Sequence, residues 1–269
     1  MVAFPPCKIN LGLNIIFKRE DGFHNLETCF YPVPWTDILE IIPAKELAFT
    51  SSGNAIPGNA EDNLCLRAYH LIQTDFDIAP VKIHLHKIIP IGAGLGGGSS
   101  DAAYTLRLLN EIFNLSLSVD QLKKYASKLG SDCSFFIEDK PMLGSGKGEI
   151  LNDIDLSLNG FYLVIVKPFI HVSTQEAYSG ILPKQPTIRI QEILKRPIVD
   201  WKEILKNDFE ESIFKKNPAI AEIKTKLYSS GAIYASMSGS GSSVFALFEK
   251  PVDLKKEFAG MEYWGMLPY

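Results

Sequence analysis

The chain has 269 residues, 46% hydrophobic and 22% charged, proportions that suit one large globular domain or two of moderate size. A formal charge of −4 gives no sign of a surface for nucleic acid or anionic membrane, so neither is expected as a partner. No run approaches the roughly 18 apolar residues of a bilayer span, and MVAFPPCKIN lacks the charged start and long apolar core of a signal peptide, so a cytoplasmic protein is expected.

From Lys8, KINLGLNIIF alternates. Ile9, Leu11, Leu13 and Ile15 share one face and Lys8, Asn10, Gly12 and Asn14 the other, the pattern of a half-buried strand. KREDGFH then supplies an Asp-Gly turn and LETCFYPV the returning strand. DNLCLRAYHLIQTDF reads as a helix with Leu64, Ala68 and Leu71 on its stripe, and VKIHLHKIIPI as a strand that runs straight into PIGAGLGGGSSDAA. Behind the glycines, Ala102, Leu106, Leu109 and Phe113 mark a helix beginning near residues 99–101. SVDQLKKYASKLG places Ser118 and Gln121 at capping-box spacing, with Gly130 as the stop. After the loop SDCSFFI, the sequence changes character near GSGKGEILNDIDLSLNG, which suggests domains at 1–153 and 154–269. FYLVIVKPF opens the second as a strand. NPAIAEIKTKLYSSG is a helix with Asn217 as cap and Pro218 in its first turn, and AIYASMSGSGSSVFALFE is two apolar strands joined by a Ser-Gly turn. Cys7, Cys29, Cys65 and Cys133 are widely spaced, contain no CxxC pair and read as reduced thiols.

The glycine stretch asks for an explanation. GAGLGG satisfies GxGxxG, but a dinucleotide site requires a parallel strand after the helix with an acid at its end, and here a second helix follows. A P-loop needs Gly-Lys-Ser/Thr after its spacer, and a protein kinase needs HRD and DFG; none is present. A simple turn, or close packing of strand on helix, is satisfied by one or two glycines. What remains is an anion cradle, in which bare main-chain N–H groups converge and a helix start adds further unpaired N–H groups with the positive end of its dipole. Pro90, Gly92, Gly94, Leu95, Gly96, Gly97, Gly98, Ser99 and Ser100 form this polyphosphate cradle, the two serines either donating to phosphate or capping the helix. Asp101 competes with phosphate for the same dipole, so it is expected to point sideways or to organise metal-bound water.

PIGAGLGGGSSDAA resembles the second motif of the GHMP small-molecule kinases. PPCKINLGLNI with REDGFHNLET is similar to the start of one branch of that family, active in isoprenoid precursor synthesis, and MSGSGSSVFALF is similar to the third motif. The resemblance implies a two-domain α+β fold with the active site in the inter-domain cleft. It also implies ATP with Mg²⁺ as cofactors and phosphoryl transfer to a hydroxyl of a cytidine-diphosphate-linked polyol. The catalytic pair it implies is Asp132, in GSDCSFF, and Lys8; from the residues alone, a turn aspartate and a solvated strand lysine are the simpler readings. It further implies that Asn10 joins the substrate set, that Phe23, His24 and Tyr178 hold the cytosine, and that Asn63 and Lys87 meet the adenine, although Lys87 reads equally as an exposed strand residue. No ligand is assigned to the metal beyond a preference for Ser99 or Ser100. Phe23 stands where the family has tyrosine and Ser134 where it has proline, and MLGSGKGE departs from the usual form. A homoserine or mevalonate-type kinase and a silent nucleotide-binding regulator are the alternatives, and a monomer and a homodimer remain equally open. His84 and His86 share a strand face without a third ligand nearby, and are read as exposed. The turn in MSGSGSSVF is either a plain hairpin turn or a second phosphate nest.

Overall fold

The computed structural model describes residues 1–266. Their strands and helices form an α+β protein that groups into two compact units: Met1–Cys7, Trp35–Ile91 and Gly96–Lys140 make the first, and Lys8–Pro34, Gly92–Leu95 and Pro141 onward the second.

The first unit contains one four-stranded sheet, in the order Val2–Ala3, Ile38–Pro43, Val81–Lys87, Ala48–Gly53, with helices Leu64–Asp75, Gly97–Ile112 and Val119–Leu129. Along Val81–Lys87 the alternation is strict: Val81, Ile83 and Leu85 are buried on one side, and Lys82 is exposed on the other. Lys87 falls on the buried parity. Helix Leu64–Asp75 buries Cys65, Ala68, Tyr69 and Ile72, one residue displaced from the Leu64–Ala68–Leu71 stripe read from the sequence; Cys65 and Tyr69 serve as well as leucine to fill an interior. The expected capping box is present, Ser118 Oγ accepting from the Gln121 N–H and Gln121 Oε1 from the Ser118 N–H.

The second unit contains two four-stranded sheets, Pro6–Lys18, His24–Thr36, Met142–Gly146, Ile150–Asp153 and Tyr234–Met237, Val244–Phe248, Tyr162–Lys167, Glu262–Met266, each in its spatial order. The first part of the stretch 144–160, read as a change of character, belongs to a hairpin over 142–153 that extends the first of these sheets by pairing with Leu26–Phe30. Leu13, Ile15, Val164, Val166, Phe209, Ile220, Ile223 and Leu227 belong to one buried cluster, which fixes the helices Phe209–Lys216 and Pro218–Ser229 beside the sheets. Asn217 occupies the cap position of the latter, but its side chain makes no cap bond; Pro218 in the first turn supplies the start signal. Strand Pro6–Lys18 is not half-buried at its beginning. Ile9, Leu11 and Ile15 are inaccessible as expected, yet Lys8 and Asn10 on the other face are 3% and 2% exposed.

Candidate active site

The glycine stretch links strand Val81–Lys87 to helix Gly97–Ile112, here called the cradle helix. Gly92, Gly94 and Gly96 all have positive φ, at 62°, 75° and 71°. At Gly94 the requirement is doubled, because an added Cβ would lie 2.0 Å from Ser238 O. The three carbonyls in this stretch are fastened inside the second unit. Ala93 O accepts from the Ser243 N–H, Gly94 O from Ser238 Oγ and Lys8 Nζ, and Leu95 O from the Lys8 N–H. In a planar trans peptide the next residue's N–H points opposite to the carbonyl. The amides of Gly94, Leu95 and Gly96 are therefore turned away from these partners. The helix begins at Gly97, earlier than the expected 99–101, with Gly96 as its cap. Glycine is a poor helix former, but the first turn has no intrahelical N–H bond to support and little to lose. The Ser100 N–H closes the first bond, onto Gly96 O at 3.0 Å. The amides of Gly97, Gly98 and Ser99 have no such partner within the helix. At the helix start, the N–H groups of Gly97, Gly98 and Ser99 are of the kind that can donate to an anion.

Ser100 and Asp101 differ from expectation. The Ser100 hydroxyl is fully buried, so among the two serines only Ser99 retains an accessible side chain. Asp101 is not turned toward solvent or a metal. Its Oδ2 accepts from Lys87 Nζ at 2.7 Å, and Lys87 Nζ also bonds Asp37. Lys87 is therefore buried, not an exposed strand residue. Burial pushes the Asp101 carboxyl up to about 7 against the pull of Lys87, with Asp37 adding to the rise. For Lys87, burial acts downward but the two carboxylates more than offset it, holding the ammonium above its ordinary value. Folded chain thus keeps the Asp101 proton to about pH 7, whereas unfolded chain releases it near 3.8. Between those values the folded state binds more protons, so this carboxyl lowers stability as pH rises. Melting temperature is expected to fall from pH 5 to pH 8 more steeply in the natural chain than in Asp101→Asn; equal slopes would contradict this assignment.

Asp132 lies half-buried in the turn that precedes the 3-10 segment Phe135–Ile137. Its carbonyl accepts from the Phe135 N–H and its Oδ1 from Ser131 Oγ at 3.2 Å. The adjoining Cys133 is inaccessible; burial pushes its thiol up to about 11, opposed by a hydrogen bond with Ser99. Ser134, in place of the family's proline, donates to Lys123 O and ties the same turn to helix Val119–Leu129. Asn63 caps helix Leu64–Asp75, its Oδ1 accepting from the Cys65 N–H and its amide nitrogen remaining as a donor.

Within the second unit, Lys8 Nζ donates to Asn10 Oδ1 at 2.6 Å and to Gly94 O at 3.0 Å, and Asn10 Nδ2 donates to Thr28 Oγ1. This lysine belongs to the glycine loop and is not a solvated strand residue. Phe23 is 56% exposed, with Lys147 Nζ 4.6 Å from its ring centroid. His24 and Tyr178 are stacked on each other at 4.8 Å and 23°, and Tyr178 meets Phe209 edge-on. Burial, with the charge of Lys18, holds the His24 imidazole below its usual value.

Two participants have no local signal in the sequence: Asp37 and His171, whose Nδ1 lies 2.9 Å from where a Gly92 Cβ would be. The Ser238–Gly241 turn joins the antiparallel strands Tyr234–Met237 and Val244–Phe248 and packs on Gly94, with Asn207 Nδ2 donating to the Met237 and Gly239 carbonyls. His84 and His86 are half-buried rather than exposed and bond Thr50 and Ser52; no cluster of three metal-ligating side chains occurs among the described residues.

A glycine loop with inward carbonyls, leading into a helix start, has the chemistry to receive an anion such as phosphate. The family model for the N-terminal domain of GHMP kinases matches residues 63–139, and that for their C-terminal domain matches residues 190–263. The chain belongs to the GHMP kinases, and is an ATP-dependent kinase of small molecules. Its relatives include the 4-diphosphocytidyl-2-C-methyl-D-erythritol kinase of Cytophaga hutchinsonii, 53% identical with 92% of each chain covered. That of Bacteroides thetaiotaomicron is 55% identical, over 93% of this chain and 92% of the relative. A crystal structure of a 4-(cytidine 5'-diphospho)-2C-methyl-D-erythritol kinase superposes with a TM-score of 0.85 at 31% identity, covering 98% of both chains. Homoserine kinase from Cytophaga hutchinsonii, at 19% identity, a TM-score of 0.64 and coverage of 98% of this chain and 95% of its own, shares the fold. Among the described residues, no helix is long and apolar enough to cross a membrane.

Proposed function

We propose that this enzyme transfers the γ-phosphoryl group of ATP to the 2-hydroxyl of 4-diphosphocytidyl-2-C-methyl-D-erythritol, in the non-mevalonate route to isoprenoid precursors and in the cytoplasm. The observation that carries the substrate assignment is identity of about half to relatives of that one activity over nearly the whole chain. The phosphate-binding half is supported by the helix-start amides of Gly97, Gly98 and Ser99, which suit a triphosphate tail.

The roles follow from what phosphoryl transfer demands. Its transition state is loose, so positioning and charge neutralisation supply most of the rate. Asp132 accepts the substrate hydroxyl's proton as the new bond to phosphorus forms. Lys8, oriented by Asn10 and Gly94 O, places its ammonium on the attacking oxygen. Asn63 offers its amide nitrogen to the adenine. Phe23, His24 and Tyr178 receive the cytosine; with His24 and Tyr178 stacked on one another, the base packs on an outer ring face or separates the pair. Mg²⁺ would be held largely by the nucleotide phosphates, with Ser99 as the protein hydroxyl available to it. Bound there, the ion supplies neutralisation of the phosphate oxygens. Segments 1–153, an N-terminal kinase domain that carries the glycine loop, and 154–269, a C-terminal substrate-side domain, are the division proposed.

Purified protein offered ATP, Mg²⁺ and one alcohol at a time, with ADP release as readout, tests the assignment. Turnover is expected on the cytidine-linked alcohol and not on homoserine or mevalonate. Turnover on either of the latter alone would overturn it.

A further inference from the structure

We propose that Lys87 is a positioning residue: its ammonium, shared by Asp37 and Asp101, ties the two ends of the glycine loop together and sets the first turn of the cradle helix, without touching the adenine. The proposal rests on the reading of this loop as the triphosphate site.

The geometry is confined to the first unit. Asp37 is inaccessible, and its Oδ1 accepts from the Ile88 and Ile89 N–H groups at 2.6 and 2.8 Å, which fixes the chain where it leaves strand Val81–Lys87. Its Oδ2 bonds Lys87 Nζ. The same ammonium reaches Asp101 in the second turn of the cradle helix at 2.7 Å, and lies 2.9 Å from where a Gly97 Cβ would stand. One charged group thus touches the segment entering the loop, the first residue of the helix that leaves it, and a carboxylate one turn further on. All three charged side chains are 3% exposed or less. An ammonium beside the positive end of a helix is unfavourable alone; paired with two carboxylates it carries no net positive charge there. Gly97 is explained by the same contact, since only a residue lacking Cβ lets the ammonium this close. A lysine held by two buried carboxylates has little to offer a base. Moving it to one would strand both acids.

Asp101→Ala cuts the tie to the helix while Lys87 remains paired with Asp37, so no buried charge is left unmatched. Inorganic tripolyphosphate, which has no base, is the probe, used as a competitive inhibitor against ATP. In Asp101→Ala, its inhibition constant and the KM for ATP are expected to rise together by about tenfold, with kcat changed far less. Asp101→Asn, which can still accept from Lys87, is expected to restore both to within about twofold of the natural chain. Amide hydrogen exchange at residues 100–103, the first amides bonded within the helix, is expected to quicken in the alanine variant and not in the asparagine variant. A KM for ATP that changes while tripolyphosphate inhibition does not would place Lys87 at the adenine and overturn the proposal; so would unchanged exchange in Asp101→Ala. Absence of ATP turnover in the natural chain would instead refute the kinase assignment, and the exchange measurement would still decide whether the tie exists.

Discussion

Asp132→Asn is expected to lower turnover by about 10²- to 10⁴-fold, the range that a positioned general base contributes. Asparagine has nearly the same shape, and its carbonyl oxygen can still accept from Ser131 Oγ. It cannot take a proton at neutral pH. The turn that carries the side chain is fastened independently, through the Phe135 N–H and Ser134 on Lys123 O. Folding and nucleotide affinity are therefore expected to survive, with the loss appearing in kcat and ATP binding by calorimetry changing by no more than about threefold. A variant with natural turnover would remove Asp132 from the chemistry. One that loses ATP binding in equal measure would make it a nucleotide ligand.

Gly94→Ala is expected to carry the largest cost to stability, because two penalties coincide there. At φ +75° a side chain costs roughly 1–2 kcal/mol, and the new methyl would sit 2.0 Å from a main-chain oxygen, Ser238 O. Backbone cannot swing aside as a side chain can, and Gly94 O is also held by Lys8 and Ser238 Oγ. A loss of about 2–4 kcal/mol and a fall in melting temperature on the order of 5–15 °C are expected, with ATP binding weakened as the loop amides lose register. Gly231→Ala is the control: φ is +96° but nothing lies within 4 Å of the added methyl, so only the conformational cost applies and ATP binding is unchanged. Equal shifts in the two variants would show that the approach to Ser238 does not matter.

What the sequence made legible was whatever depends on near neighbours. Alternation placed Ile9, Leu11, Leu13 and Ile15 correctly, and the glycine spacing anticipated a loop of positive-φ residues ahead of a helix. Lys87 was readable too, since it shares parity with Val81, Ile83 and Leu85, but a lysine on an apolar face invites dismissal unless its counter-charges are known. One of these, Asp37, lies 50 residues away, and nothing in WTDILE announces it. The burial of Lys8 and Asn10 was illegible for the same reason, because their partners, Gly94 O and Thr28, come from other segments. The stacking of His24 on Tyr178 joins residues far apart in the chain, and only tertiary contact reveals it. The start of the cradle helix was placed late because propensity disfavours glycine, whereas a first turn tolerates it. A chain that enters and leaves each compact unit more than once likewise gives no composition change at most of its crossings.

The most direct measurement is a crystal structure with the non-hydrolysable β,γ-imido analogue of ATP and Mg²⁺. Phosphate oxygens are expected within about 3.2 Å of main-chain nitrogens between Gly94 and Ser99. A triphosphate tail bound anywhere else, with those amides bonded only to water, would contradict the role given to the glycine loop and, with it, the proposed mechanism.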